Sequence, residues 1–166
     1  MAEPDFHPPE TPTPLLLTER LRLEPLTAAH APNYAVHFID YEVVRHLSSA
    51  VPWPYPEDGL VTFLEQVEEG QGIERWDWAI CLKDDPGQAI GSVGLWWPGV
   101  PEHRGFWLGR AFWGNGYMHE ATEATNAFAF EVLGYEQLVF SNAVGNKRSR
   151  RIKERQGATF LKIEDA

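Results

Sequence analysis

Cysteine is almost missing from this chain: among 166 residues there is one, Cys81. No internal disulfide can form, and its setting in the apolar run Trp78-Ala79-Ile80-Cys81-Leu82 suits a buried strand position better than a nucleophile. Basic residues are also scarce, 14 Lys and Arg against 24 Asp and Glu, for a formal charge of −10. That balance excludes a general nucleic-acid binder, whose affinity rests on a basic surface. It would instead steer cationic partners such as amines or basic peptide ends. No apolar run approaches the ~20 residues of a membrane helix. The opening MAEPDFHPPETPTP lacks the basic and apolar regions of a secretory signal. The expected location is therefore cytoplasmic, with no membrane partner. Clustered metal ligands are absent too: His103 and His119 lie on either side of a whole turn without a carboxylate pair, so no metal is expected. Ser141 and Ser149 have no partners in a triad-like arrangement, which leaves a serine hydrolase unsupported.

What is present centres on His103 to Glu120, HRGFWLGRAFWGNGYMHE. A short aromatic strand from Gly105 to Gly109 leads through Arg110, Ala111 and Phe112 into the turn Trp113-Gly114-Asn115-Gly116. A helix from Tyr117 to Leu133 follows and stops at Gly134. Two glycines between strand and helix let several N–H groups point one way, and the first N–H groups of a helix have no partner within it. Such a turn is an anion site, with phosphate the usual guest. Taken alone, Gly-x-Gly serves equally as a turn that needs positive φ and binds nothing.

The remainder reads as one domain, residues 15–166, behind a Pro-rich tail, residues 1–14, expected to be extended and mobile. Leu21 to Leu26 alternates as a first strand. Thr27 caps a helix through Phe38, a short helix covers Glu42 to Leu47, and another covers Glu57 to Glu68. Between the last two, Val51-Pro52-Trp53-Pro54-Tyr55-Pro56 forbids a helix or a central strand. It fits a substrate-side wall and a packed surface loop equally. Strands follow at Trp76 to Leu82 and Ala89 to Trp97, with a second turn at Pro98-Gly99-Val100-Pro101. After the long helix come a fifth strand, Gln137 to Val144, a helix, Asn146 to Gln156, and a sixth strand, Ala158 to Ile163. The fold class is α/β of the α+β kind: a mixed, mostly antiparallel sheet flanked by helices.

A nucleotide-triphosphate loop would end in Gly-Lys-Ser/Thr, but Tyr117 and Met118 follow Gly116. A dinucleotide fingerprint would place a third small residue where His119 stands. A phosphate-bearing cofactor held by backbone survives these exclusions. The run FWLGRAFWGNGYMHEA, Phe106 to Ala121, resembles the acetyl-CoA loop of the GNAT acyltransferases, most like the branch of ribosomal-protein N-terminal alanine/serine acetyltransferases. Thr18-Glu19-Arg20-Leu21-Arg22-Leu23, the Pro-rich loop around Tyr55, and Asn146-x-x-Ser149 followed by Gly157 are similar to the same branch. The resemblance spans roughly residues 15–163.

It implies that the pyrophosphate of acetyl-CoA, the co-substrate, sits on the amides of Trp113, Gly114, Asn115, Gly116, Tyr117 and Met118, though Met118 stands where a small residue is more general. It also implies that Leu108, Gly109, Arg110 and Ala111 pair with the pantetheine arm, that Asn146 touches it with Ser149 one turn on, and that strands 4 and 5 splay in a V. By the same resemblance the sheet would close with a further strand that this chain, stopping at Ala166, lacks or obtains from a partner. The six basic residues of the last helix, Lys147, Arg148, Arg150, Arg151, Lys153 and Arg155, either hold the adenosine phosphates or form a solvated face. His103 stands where many relatives carry a carboxylate base, and could take the amine's proton through a water; it could equally be an exposed strand-start residue. Lys153 replaces the tyrosine that many relatives use as acid, so no general acid is assigned. The resemblance implies an N-acetyltransferase acting on an amine, a protein N-terminus or a small molecule such as a polyamine, antibiotic or amino acid, as monomer or homodimer. The rival is a non-catalytic acyl-CoA-binding module.

Overall fold

A computed structural model describes residues 7–47, 50–97 and 102–164. Its sheet is β1 (Leu16–Leu17), β2 (Leu21–Pro25), β3 (Arg75–Leu82), β4 (Gly91–Trp96) and β5 (Arg104–Leu108), in sequence order. Every pairing between these strands is antiparallel. The helices are α1 (Ala31–Phe38), α2 (Tyr41–Val44), α3 (Gly59–Gly70), α4 (Tyr117–Glu131) and α5 (Lys147–Arg155). Among the described residues, no helix is long and apolar enough to cross a membrane.

The run Arg75–Leu82 is apolar almost throughout because both faces of β3 are covered. Trp76, Trp78 and Ile80 point to one core, shared with Met118, Phe128 and Ala129 of α4. Ala79 and Cys81 point to the other, with Tyr34 and Phe38 of α1 and Leu60, Leu64 and Val67 of α3. On α4 the buried residues Met118, Ala121, Thr122, Thr125, Phe128 and Ala129 recur at three- and four-residue spacing, so the stripe facing the sheet is continuous. Phe128 meets Trp78 edge-on at 5.4 Å, and burying a ring of that size contributes about 1.5–3 kcal/mol. Cys81 is fully buried. Burial, and after it the adjacent Glu24, push its thiol up to about 12, which leaves it inert as a nucleophile.

Three expectations change. Residues 7–14 are not a free tail. The buried indoles of Trp76 and Trp78 need acceptors; they donate to the carbonyls of Thr11 at 2.8 Å and Pro14 at 2.7 Å. The Thr11 N–H in turn donates to Gly72 O at 2.8 Å. Residues 1–6, and the turn expected at Pro98-Gly99-Val100-Pro101, lie outside the described residues. The expected fifth strand, Gln137 to Val144, forms no ladder. Its contact is with the residue just before β5, where the His103 N–H donates to Val139 O at 2.6 Å and the Val139 N–H donates to His103 Nδ1 at 3.0 Å; side chains from Glu102 and Lys153 hold Ser141. Ala158 to Ile163 is likewise not a strand, and Phe160, Leu161 and Ile163 are exposed. Both runs are rich in apolar residues, but a strand also needs a partner edge at the right spacing.

Among the described residues the Pro-rich loop packs on the helices and does not line the cavity at the start of α4. Tyr55 packs edge-on against Phe38 at 5.3 Å, while the exposed Trp53 pairs with Tyr41 at 5.5 Å.

Candidate active site

The turn after β5 has the conformation its glycines permit. Gly114 and Gly116 take φ of +82° and +79°, and Gly116 is the N-cap of α4. A side chain at either position would be strained, since L-residues enter this region at a cost. The turn is braced from within: Trp113 Nε1 donates to Leu108 O at 2.8 Å, and Asn115 Nδ2 donates to Phe112 O at 3.1 Å.

A second brace comes from the Thr18-Glu19-Arg20 segment. Arg20 Nη1 donates to Asn115 O at 2.8 Å, Arg20 Nε to Glu120 Oε1 at 2.8 Å, and the Arg20 N–H to Glu120 Oε2 at 2.9 Å. Thr18 Oγ1 donates to the same carboxylate. Burial would raise the Glu120 pKa, but the bonds from Thr18 and Arg20 outweigh it and hold it below its ordinary value. The Arg20 guanidinium also lies 4.6 Å over the Tyr117 ring. The start of α4 is thereby fixed while its first amides stay available to an anion.

Beside the turn is a cavity of about 280 Å³, walled by α2, β5, the turn and α5. Of the residues expected to hold a cofactor, Leu108, Trp113, Gly114, Gly116, Tyr117, Met118, Asn146 and Ser149 line it. Gly109, Arg110, Ala111 and Asn115 do not. Arg110 and Ala111 lie in a 3-10 turn, Arg110–Phe112, so the strand-like backbone ends at Gly109. Arg110 turns outward to Asp40, with Nε 3.0 Å from its carboxylate.

Asn146 and Ser149 are joined by a helix cap. Asn146 Oδ1 accepts from the Ser149 N–H at 3.2 Å, which orients the start of α5. The basic residues of α5 sort by face. Arg148, Arg151 and Arg155 line the cavity, and the Arg148 guanidinium lies 3.6 Å over the Trp113 ring. Arg150 pairs along the outer face with Glu154 at 2.7 Å. Lys153 turns inward.

The geometry argues against His103 as the base. It is only 4% exposed, its ring is stacked on Trp97 at 5.7 Å and meets Tyr135 edge-on at 5.7 Å, and it does not line the cavity. Burial pulls its pKa below the usual histidine value. Its Nδ1 accepts from the Val139 N–H at 3.0 Å, which assigns the proton of the neutral ring to Nε2. Protonating Nδ1 would break that bond. A strand-start histidine packed by two aromatic rings is a structural piece.

Sequence reading missed His46, just beyond the end of α2. It lines the cavity together with Val43 and Leu47, and its ring has no hydrogen-bond partner among the described residues. The short helix put residues 43, 46 and 47 on one face, but nothing in the sequence brought that face to β5. Among the described residues the cavity lining carries no carboxylate, and its imidazoles are those of His46 and His119. Among the described residues there is no cluster of His, Cys, Asp and Glu fit for a metal ion.

Comparison with known proteins gives a consistent set of likenesses. The family described as Acetyltransferase (GNAT) domain matches residues 20–159. The uncharacterized protein YkkB of Bacillus subtilis (strain 168) is 26% identical over 156 residues, which cover 89% of this chain and 86% of that one. The acetyltransferase crystal structure from Agrobacterium tumefaciens str. C58 is 29% identical with a TM-score of 0.71, over 88% of this chain and 84% of that chain. The Microcin C7 self immunity acetyltransferase MccE, solved in complex with acetyl-CoA and AMP, shares the fold at a TM-score of 0.65 and 18% identity, over 89% of this chain and 83% of that chain.

Proposed function

The chain belongs to the GNAT acetyltransferase family, and on that premise we propose that it transfers the acetyl group of acetyl-CoA to an amine, with a peptide α-amine the preferred acceptor. The observation that carries the reading is the braced turn: two glycines at positive φ open the N-terminus of α4 into a cavity that three arginines of α5 also line. These residues fit a diphosphate. The amides of Gly114 to Met118 would hold it, the Trp113 N–H being given to Arg110 O. Arg148, Arg151 and Arg155 would take the remaining anionic charge, Leu108 and Gly109 would offer backbone, and the Nδ2 of Asn146 would donate to the amide-bearing arm. Acetyl-CoA supplies an activated thioester carbonyl there.

His46 is the group we assign to receive the amine's proton, in place of His103. An imidazole is the side chain whose charge ordinarily changes between pH 5 and 8. The preference for an α-amine follows from the same chemistry. Such a group has a reference pKa near ~8, so a useful fraction is neutral at pH 7, whereas a lysine near ~10.4 needs a stronger base. Among the described residues no carboxylate lines this cavity to supply one. The formal charge of −10 favours approach of cationic acceptors.

The test is thiol release from acetyl-CoA over peptides with free N-termini, polyamines and amino acids, with the product identified by mass. Peptide N-termini are expected to turn over fastest. Faster turnover of polyamines or of free amino acids would move the acceptor to the small-molecule class.

A further inference from the structure

Lys153 is a cation on the inner side of α5, and its Nζ donates three hydrogen bonds: to Ser141 O at 2.7 Å, Asn142 Oδ1 at 2.9 Å and Ser149 Oγ at 2.9 Å. All three ammonium donors are used, and no ion pair is among them. Its charged neighbours are Arg104 of β5, which opposes its charge, and Glu102 just before β5, which favours it. Glu123 of α4 acts on Arg104 in turn. Burial first, and Arg104 after it, bring the Lys153 amine down to about 8.

Ser149 is the link from this cation to the cavity. It lines the cavity although only 8% exposed. Its N–H is given to Asn146 Oδ1 and its Oγ accepts from Lys153, so among the described residues the hydroxyl proton has no protein acceptor. A hydroxyl that accepts from an ammonium is a stronger donor on its free side.

We propose that Ser149 and Lys153 form a proton relay to the departing sulfur of the acyl donor, Ser149 as the donor and Lys153 as the positioning residue that recharges it. This rests on the acetyl-transfer reading of the same cavity. As the amine nitrogen bonds to the carbonyl carbon, the C–S bond breaks and its electron pair goes to sulfur. Ser149 gives its hydroxyl proton to that sulfur, and Lys153 replaces it. The neutral Lys153 amine then regains one proton from solvent, matching the one the attacking amine released. The two acidities are close: free thiols titrate near ~8.5, whereas an ordinary lysine near ~10.4 would retain its proton. Proton transfer between matched groups is where general acid catalysis is most effective.

The test uses CoA itself, not turnover. The thiolate absorbance of CoA bound to the full chain is titrated from pH 6 to 10 in wild type, K153M, K153R and S149A. The only protein thiol, Cys81, is buried and raised to about 12, so the signal is that of CoA. The bound thiol is expected to titrate about one pH unit or more below free CoA in wild type and K153R, and to return to the free value in K153M. With acetyl-CoA and an amine, K153R should keep the lowered thiol yet lose kcat about as K153M does, because a guanidinium holds its charge but cannot give up the proton that recharges Ser149. A thiol titration identical in wild type and K153M overturns the relay while leaving acetyl transfer standing. Failure of wild type to bind CoA overturns both.

Discussion

Arg20 and Glu120, a hundred residues apart in sequence, are joined twice: the guanidinium Nε meets Oε1 at 2.8 Å and the backbone N–H meets Oε2 at 2.9 Å. The pair fixes the start of β2 to the first turn of α4, and Arg20 Nη1 reaches on to Asn115 O. R20A is expected to raise the Kd for CoA about 5- to 10-fold with the far-UV spectrum unchanged, measured by calorimetry and circular dichroism, because the turn loses its outer brace while both cores are untouched. The pH dependence has a definite sign. The folded pKa of Glu120 is lowered, so its contribution is full above the ordinary carboxylate range of ~4.3 and is lost as pH falls through the folded value.

Gly116 is held to glycine by its backbone conformation. At φ of +79°, G116A is expected to cost about 1–2 kcal/mol of stability and to weaken CoA binding more than 10-fold, since straightening the backbone withdraws the α4 amides. Urea unfolding and calorimetry separate the two effects. An alanine variant that binds CoA as wild type does would remove the turn from the cofactor site.

The two histidines should part company. H46A is expected to lower kcat about 10²-fold, in the usual range for a proton-transfer residue, with CoA affinity within a factor of two. H103A is expected to act on stability, by about 1–3 kcal/mol, through the lost stacking on Trp97 and the lost Val139 bond. The folded pKa of His103 is lowered, so the native state resists protonation. Wild type should therefore lose stability as pH falls below the unfolded value of ~6.5, and H103Q should lose less. Rates across pH 6 to 9 and denaturation at each pH decide the assignment.

Lys153 carries a stability cost along with its proposed role. Its amine is lowered to about 8, so the unfolded chain binds the proton more tightly between there and ~10.4. Native stability is therefore depressed at pH 7 and recovers as pH rises through about 8 to 10.4. K153M is expected to be more stable than wild type at pH 7 by roughly 1–3 kcal/mol, with the difference shrinking at pH 10. Equal stability of the two at both pH values would contradict the depressed amine.

Local chemistry was legible in the sequence where a single residue type permits a single conformation. The Gly114 and Gly116 turn, the start of α4 at Tyr117, the helix beginning near Asn146 and the buried β3 all follow from spacing and residue type. Long-range partners were not. The Thr18-Glu19-Arg20 stretch gave no sign that it holds Glu120, and Pro14 and Thr11 gave none that they satisfy two buried indoles. The runs 137–144 and 158–163 have strand-like apolar content, yet pairing depends on an edge that composition does not reveal. Six basic residues around α5 likewise hid which one turns inward. His103 drew attention by its place before β5, whereas the cavity histidine, His46, lies just beyond a four-residue helix that only packing brings to the site.

The most direct test of acetyl transfer is thiol release by wild-type protein given acetyl-CoA and a peptide with a free N-terminus, with the peptide mass followed in the same reaction. One thiol released for each peptide gaining one acetyl group is the predicted result. Tight CoA binding with no release above the background hydrolysis rate, for peptides and every other amine tried, would contradict it and leave a binding module.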